Sequence, residues 1–299
     1  MNAADTAVSG LPGEERRAVL EQVILPEATR GAMAQERPVV VVVAGQPGAG
    51  KTHIADLVQR TLDGRGGAVR VCRDLYKPLH RRYAEALATD VRTAGAAIRP
   101  DTAAWQEAVE EYVRLQGFNA VVESSLTDPD EFRTSSAAYR ASRARIEIVA
   151  VAVAEAWSQL GTLDRFLVGG GVRYVSRDNH DRCAAQMLVT LAVIEAEQLA
   201  DRVTVVRRDG TVLYDNELVE GAWRRRPAAE RVVVRERSRS WSVGETAVFD
   251  RALASAERHP IYRALAEHHR TQSYLDAVEM AHADFAALRR RSATPTATT

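Results

Sequence analysis

The spacing of apolar positions changes period repeatedly along the chain, and each change marks an element. Residues 38–44 form a β-branched run without a polar interruption, the pattern of a strand buried on both faces. Ile54, Leu57, Val58 and Leu62 then share a helical face, so a helix is expected over about 51–62 until Gly64, Gly66 and Gly67 stop it. Further strands are expected at 68–73, 119–123, 145–153 and 203–206, with helical spacing over about 78–92, 101–116, 129–142, 155–168 and 178–200. Alternating strands and helices pair in parallel through right-handed crossovers, so the expected fold is α/β: a three-layer sandwich around a five-stranded, mostly parallel sheet. Ligands of such sheets bind beyond the carboxyl ends of the strands.

The flanks read differently. Residues 13–34 have helical spacing that Pro26 kinks or ends, and Asp209-Gly210 centres a hairpin over 207–216 that closes the sheet. From 228 onward only Val232-Val233-Val234 resembles a strand, and helical patterns resume at 246–257 and 260–291. The expected organisation is an N-terminal helical segment (1–36), a main domain (37–225), a helical C-terminal extension (228–291) and a disordered tail (292–299).

Forty basic and forty acidic side chains cancel over 299 residues, so no global field draws the chain to nucleic acid or an anionic membrane. The Arg224-Arg225-Arg226 cluster reads as a solvated loop. Cys72 and Cys183 are too few for a disulfide framework and are expected as small core residues. No charged-then-apolar leader and no membrane-length apolar run are seen, which places the expected site of action in the cytoplasm.

Candidate chemistry begins where the first strand ends. Gly45-Gln46-Pro47-Gly48-Ala49-Gly50-Lys51-Thr52 is the full phosphate-binding loop pattern, in the required order of strand, loop and helix. Its glycines let successive N–H groups face an anion at a helix N-terminus, Lys51 reaches the β- and γ-phosphates, and the Thr52 hydroxyl serves magnesium. No Asn-Lys-x-Asp base-reading motif is present, so ATP is the expected donor. Asp74, at the end of the second strand, is placed to accept a substrate hydroxyl's proton; otherwise it caps the next helix or pairs with Arg73 or Lys77. Glu123 ends the third strand and serves magnesium through water or grips a substrate hydroxyl. Arg165, and Arg173 after Gly169-Gly170-Gly171, are either cations for the transferring phosphate or surface arginines.

Over residues 37–218 these motifs together resemble the zeta toxin family, P-loop kinases of toxin–antitoxin modules best known as UDP-N-acetylglucosamine kinases. GQPGAGKT is similar to the family's loop, Asp74-Leu75-Tyr76-Lys77 with His80 nearby to its D-x-[FY]-K segment, and Val122-Glu123-Ser124-Ser125 to its strand-end E-[GS]-[ST]. Gly161-Thr162-Leu163-Asp164-Arg165-Phe166 resembles its G-[TI]-x-x-R-[YF] segment, and Arg173 ahead of His180-Asp181 its second phosphate-binding arginine. The resemblance implies a P-loop kinase sandwich using ATP and magnesium. Asp74 would be the catalytic base, Lys77, Glu123 and Ser125 would contact the acceptor, and Arg165 and Arg173 would reach the ATP phosphates. It also implies a UDP-N-acetylglucosamine acceptor and a small helical antitoxin partner. Two departures stand out: Arg73 occupies a position usually acidic or Asn, and the Gly169–Gly171 stretch shortens the lid. They leave open a kinase of another small molecule, such as a dinucleotide, a nucleotide or an antibiotic, and an ATP-sensing module that binds a partner.

Overall fold

The computed structural model describes residues 10–169, 173–259 and 286–290. The triple-glycine stretch beyond Gly169, most of the helix expected over 260–291 and the tail at 292–299 lie outside the described residues.

The chain begins with α1 (Gly13–Val19), a π-helical turn (Leu20–Ile24) and α2 (Leu25–Ala28), so the expected break at Pro26 is a widened turn just ahead of it. The central strand β1 (Val39–Ala44) leads into α3 (Lys51–Asp63), followed by β2 (Val69–Val71), α4 (Arg73–Tyr76), α5 (Tyr83–Thr89), α6 (Ala94–Ala97) and α7 (Arg99–Gln116). Next come β3 (Ala120–Ser124), α8 (Pro129–Ala141), β4 (Arg145–Val151), α9 (Glu155–Val168), α10 (Arg177–Ala196) and β5 (Arg202–Val206). The chain then forms β6 (Val212–Val219), β7 (Ala222–Trp223), α11 (Ala229–Ser238) and α12 (Val243–Glu257).

The sheet has seven strands in the order β2-β3-β1-β4-β5-β6-β7, with β1 to β5 parallel and β6 and β7 antiparallel. Five strands were expected. The two further strands arise because β6 runs to Val219 and turns through Glu220 (φ 51) and Gly221 (φ 79), a left-handed pair suited to a two-residue hairpin. The valines of β1 serve both faces: Val40, Val42 and Ala44 join a core with α7, α8 and α10, whereas Val41 and Val43 pack with Ile54 and Leu62 of α3. A third apolar cluster, off the sheet, packs α9 against α12 through Leu160, Phe166, Phe249 and Leu253.

The valine run at 232–234 is helical. Buried Glu195 of α10 accepts a hydrogen bond from the Ala229 amide at 2.8 Å and one from the Tyr214 hydroxyl at 2.6 Å, so a distant carboxylate caps a helix that has no capping side chain of its own. Val232 and Val233 of that helix enter the main core.

Candidate active site

β1 ends at Ala44 and the chain turns back on itself from Gly45 before α3. Gly48 (φ 74) and Gly50 (φ 96) take left-handed conformations, and a Cβ at Gly48 would lie 1.9 Å from the Ser158 carbonyl oxygen. A Cβ at Gly161 would meet the Gly48 carbonyl oxygen at 2.6 Å, so α9 and the loop touch backbone to backbone. No side chain caps the start of α3, which leaves its first N–H groups facing the concavity of the loop. The Lys51 ammonium donates to the carbonyls of Gly45 (2.7 Å) and Gln46 (3.2 Å); burial lowers its pKa, while Glu123 and Asp74 act in the opposite sense.

Behind the loop, Gln46 is fully buried. Its amide donates to the Val153 carbonyl (3.4 Å) and the Ser158 hydroxyl (3.1 Å), and its carbonyl accepts from Arg237 of α11 at 2.8 Å. His180 stands 2.8 Å from the Ser158 hydroxyl and 2.7 Å from the Asp181 carboxylate, so this pair braces the loop from behind. Arg237 is anchored a second time, to the Ala184 carbonyl at 2.8 Å. Sequence reasoning missed Arg237, which lies among the Val and charged residues of a segment with no motif.

In front of the loop are the charges. Asp74 lies in the first turn of α4, 2.6 Å from the Lys77 ammonium and 3.3 Å from the Arg165 guanidinium. Burial alone would raise its pKa, but Lys77, then Arg165 and Arg173, hold the carboxyl below the usual carboxylate range. Arg73 turns away to Gln106 (2.8 Å) and Glu131 (3.0 Å), so Lys77 is the partner of Asp74 on its own segment. The Arg165 Nε is buried without a hydrogen-bond partner among the described residues. Arg173 is exposed, and its charge is felt at Asp74 and at Tyr83.

Glu123, opposite Val43 in the β1–β3 register, accepts from the Thr52 hydroxyl at 3.0 Å. Its other oxygen accepts from Arg70 at 2.8 and 3.2 Å. Arg70 also reaches Asp56 (3.2 Å) and the Thr52 carbonyl (3.3 Å), and the short strand β2 places it there without any motif to announce it. Cys72 sits between these carboxylates; burial, then Glu123 and Asp74, push its thiol up to about 11.

Not every expected residue converges on this point. Ser125 lies beside Cys183 of α10, and the nearby turn is fixed by the Ser124 hydroxyl accepting from the Leu126 amide at 3.0 Å. His80 is buried 3.0 Å from Asp101, which also accepts from the Leu11 amide and Arg16, so this histidine fastens the N-terminal segment. Both cysteines are free. Arg224 to Arg226 are exposed, with Arg224 paired to Glu217 at 3.4 Å. No described helix is long and apolar enough to cross a membrane.

The residues fit a nucleoside triphosphate. A loop closed to a Cβ at Gly48, uncapped helix N–H groups and an orphaned guanidinium nitrogen together form an anion cradle. Thr52 and Glu123 offer two adjacent oxygens, the sparse donor set of a magnesium ion that shares the rest of its shell with phosphate and water.

The family model for Zeta toxin matches residues 25–219. A zeta toxin of Streptococcus agalactiae is 22% identical over 193 residues, covering 63% of this chain and 67% of the relative. Among solved structures, that of the PezAT chromosomal toxin–antitoxin system of Streptococcus pneumoniae superimposes with a TM-score of 0.71 at 20% identity, over 83% of this chain and 98% of that one. The AvrRxo1-ORF1:AvrRxo1-ORF2 complex with ATP gives a TM-score of 0.50 at 16% identity, over 90% of this chain and 86% of that one.

Proposed function

The chain belongs to the zeta toxin family, and on that premise we propose that it is an ATP- and magnesium-dependent phosphotransferase acting on a hydroxyl of a nucleotide sugar, UDP-N-acetylglucosamine, as the toxin of a toxin–antitoxin pair. The single observation that carries this reading is Asp74 held beside both Lys77 and Arg165 in front of the phosphate loop, which joins a proton acceptor to a transfer cation in one place.

In this reading the loop N–H groups and Lys51 hold the ATP phosphates, and Thr52 and Glu123 would hold magnesium. The ion, when bound, neutralises charge shared by the β- and γ-phosphate oxygens. Asp74 accepts a hydrogen bond from the acceptor hydroxyl and directs its lone pair along the line of transfer. Its lowered pKa keeps it ionised at neutral pH, and because phosphoryl transfer passes through a loose transition state, orientation matters more here than basicity. Arg165 and Arg173 meet the charge that develops on the transferring group. Lys77 and Glu123 are the acceptor-side contacts within the cluster, and Ser125, beside Cys183, approaches the acceptor from its margin. A small helical antitoxin would silence the enzyme by covering the nucleotide site; the PezAT structure, of a toxin–antitoxin system, supports a protein partner.

The test is transfer of γ-labelled phosphate from ATP to a panel of acceptors: UDP-N-acetylglucosamine, a nicotinamide dinucleotide, free nucleotides and an aminoglycoside. Labelled UDP-N-acetylglucosamine, lost in Lys51→Ala, is the expected result. Label on another acceptor would replace the substrate, and label released only as phosphate would favour a nucleotide-sensing role.

A further inference from the structure

The donor site has a second end that no motif marks. In strand order, Asp74 and Glu123 follow β2 and β3 on one side of β1, whereas the turn after β5 lies on the other, beyond β4. A triphosphate in the loop must direct its γ end toward Asp74, so its nucleoside leaves over β4 and β5. Arg208 stands there. A Cβ at Gly50 would lie 3.3 Å from the Arg208 Nε and 3.6 Å from its Cγ, so this side chain lies along the rim of the phosphate loop.

Arg208 differs from its neighbour. Arg207 is held in a two-pronged ion pair with Glu236 of α11 at 2.9 and 3.1 Å, but Arg208 makes no hydrogen bond or ion pair among the described residues. Its guanidinium carbon lies 5.8 Å from the ring centre of Trp157, within reach of a cation–π contact. Trp157 is itself fixed by Trp241 (6.0 Å) and Phe249 (5.0 Å), both beyond the residues that the family model matches. Segments after residue 228 thus fix both neighbours of Arg208, the arginine before it and the ring beneath it.

Building on the kinase reading above, we propose that Arg208, backed by Trp157, is the nucleobase seat of the donor site: the purine of ATP stacks on the guanidinium plane at the rim of the phosphate loop. A planar cation with one face on an aromatic ring, which feels the Asp164 charge but forms no ion pair among the described residues, suits a flat, polarisable base.

The test is titration of the full chain with ATP, ADP and inorganic tripolyphosphate, which shares the phosphates and lacks the base. Arg208→Ala is expected to weaken ATP and ADP on the order of tenfold, the size of one lost base stack, and to leave tripolyphosphate unchanged. Arg208→Lys, which keeps the charge and loses the plane, is expected to behave like the alanine variant. Unchanged ATP affinity in Arg208→Ala would overturn the proposal, and so would parallel loss of ATP and tripolyphosphate, which would mean damage to the loop itself. Lys51→Ala weakens all three ligands if the phosphate loop is the donor site. Absence of ATP binding in the unmutated chain would overturn the kinase reading and this proposal together.

Discussion

The two sides of the phosphate loop are built on different principles. In front, Asp74, Lys77, Arg165, Glu123 and Arg70 form a partly buried set of ions joined by the Thr52 hydroxyl, each held by a charged partner. Behind, Gln46, Ser158, His180 and Arg237 form a buried chain of hydrogen bonds, and Gly48 meets α9 with no room for a side chain. Ions that still reach solvent can exchange partners, whereas buried contacts with no slack fail abruptly. The front can be retuned for a new acceptor by exchanging one ion, while the back has to keep its shape.

That contrast is most severely strained by adding a methyl group behind the loop. Gly48→Ala combines a backbone clash with a left-handed conformation, which costs about 3 kcal/mol or more, so thermal unfolding should shift strongly and ATP binding should be lost together with it. A smaller change tests the same side. Arg237→Met leaves the Gln46 carbonyl oxygen without its donor inside the structure, and a loss of roughly 1–3 kcal/mol in a denaturant titration is expected. If ATP affinity falls with stability in this variant, the C-terminal segment supports the loop; if only stability falls, it is a packing contact.

The front should respond in pH rather than in stability. Lys77 is the chief cation holding the Asp74 carboxyl low, so Lys77→Met raises that pKa. A depressed carboxylate keeps its ionised form until the pH falls through its folded pKa. With Lys77 removed, the acid limb of the transfer rate should therefore move to higher pH, while the plateau stays ionised. An acid limb that does not move would show that the measured rate does not depend on the ionisation of Asp74.

The same contrast explains what was legible in the sequence. The β1–loop–α3 unit is read from local pattern alone, because a valine run, three glycines and a helical face follow one another without a gap. Asp74 and Glu123 are legible because strands deliver them to one edge. Arg70, Arg208 and Arg237 were not, since each acts through a partner distant in sequence: Glu123, the rim of the loop and Gln46. The Val232–Val234 run misled for a related reason. Its helix is started by Glu195 and buried by the main core, a tertiary contact that overrides strand propensity. The β2 strand is shorter than expected because Cys72 already serves as the cap of α4, and that early turn is what places Asp74 against Lys77 and Arg165.

The central claim is that the front performs the chemistry and the back holds the donor, and Asp74→Asn separates these most directly. ATP affinity by titration and single-turnover transfer to UDP-N-acetylglucosamine would be measured on the same preparation. The account predicts ATP binding within about twofold of the unmutated chain and transfer reduced on the order of a hundredfold to ten-thousandfold. Transfer at the normal rate, or ATP binding lost in proportion to transfer, would contradict it.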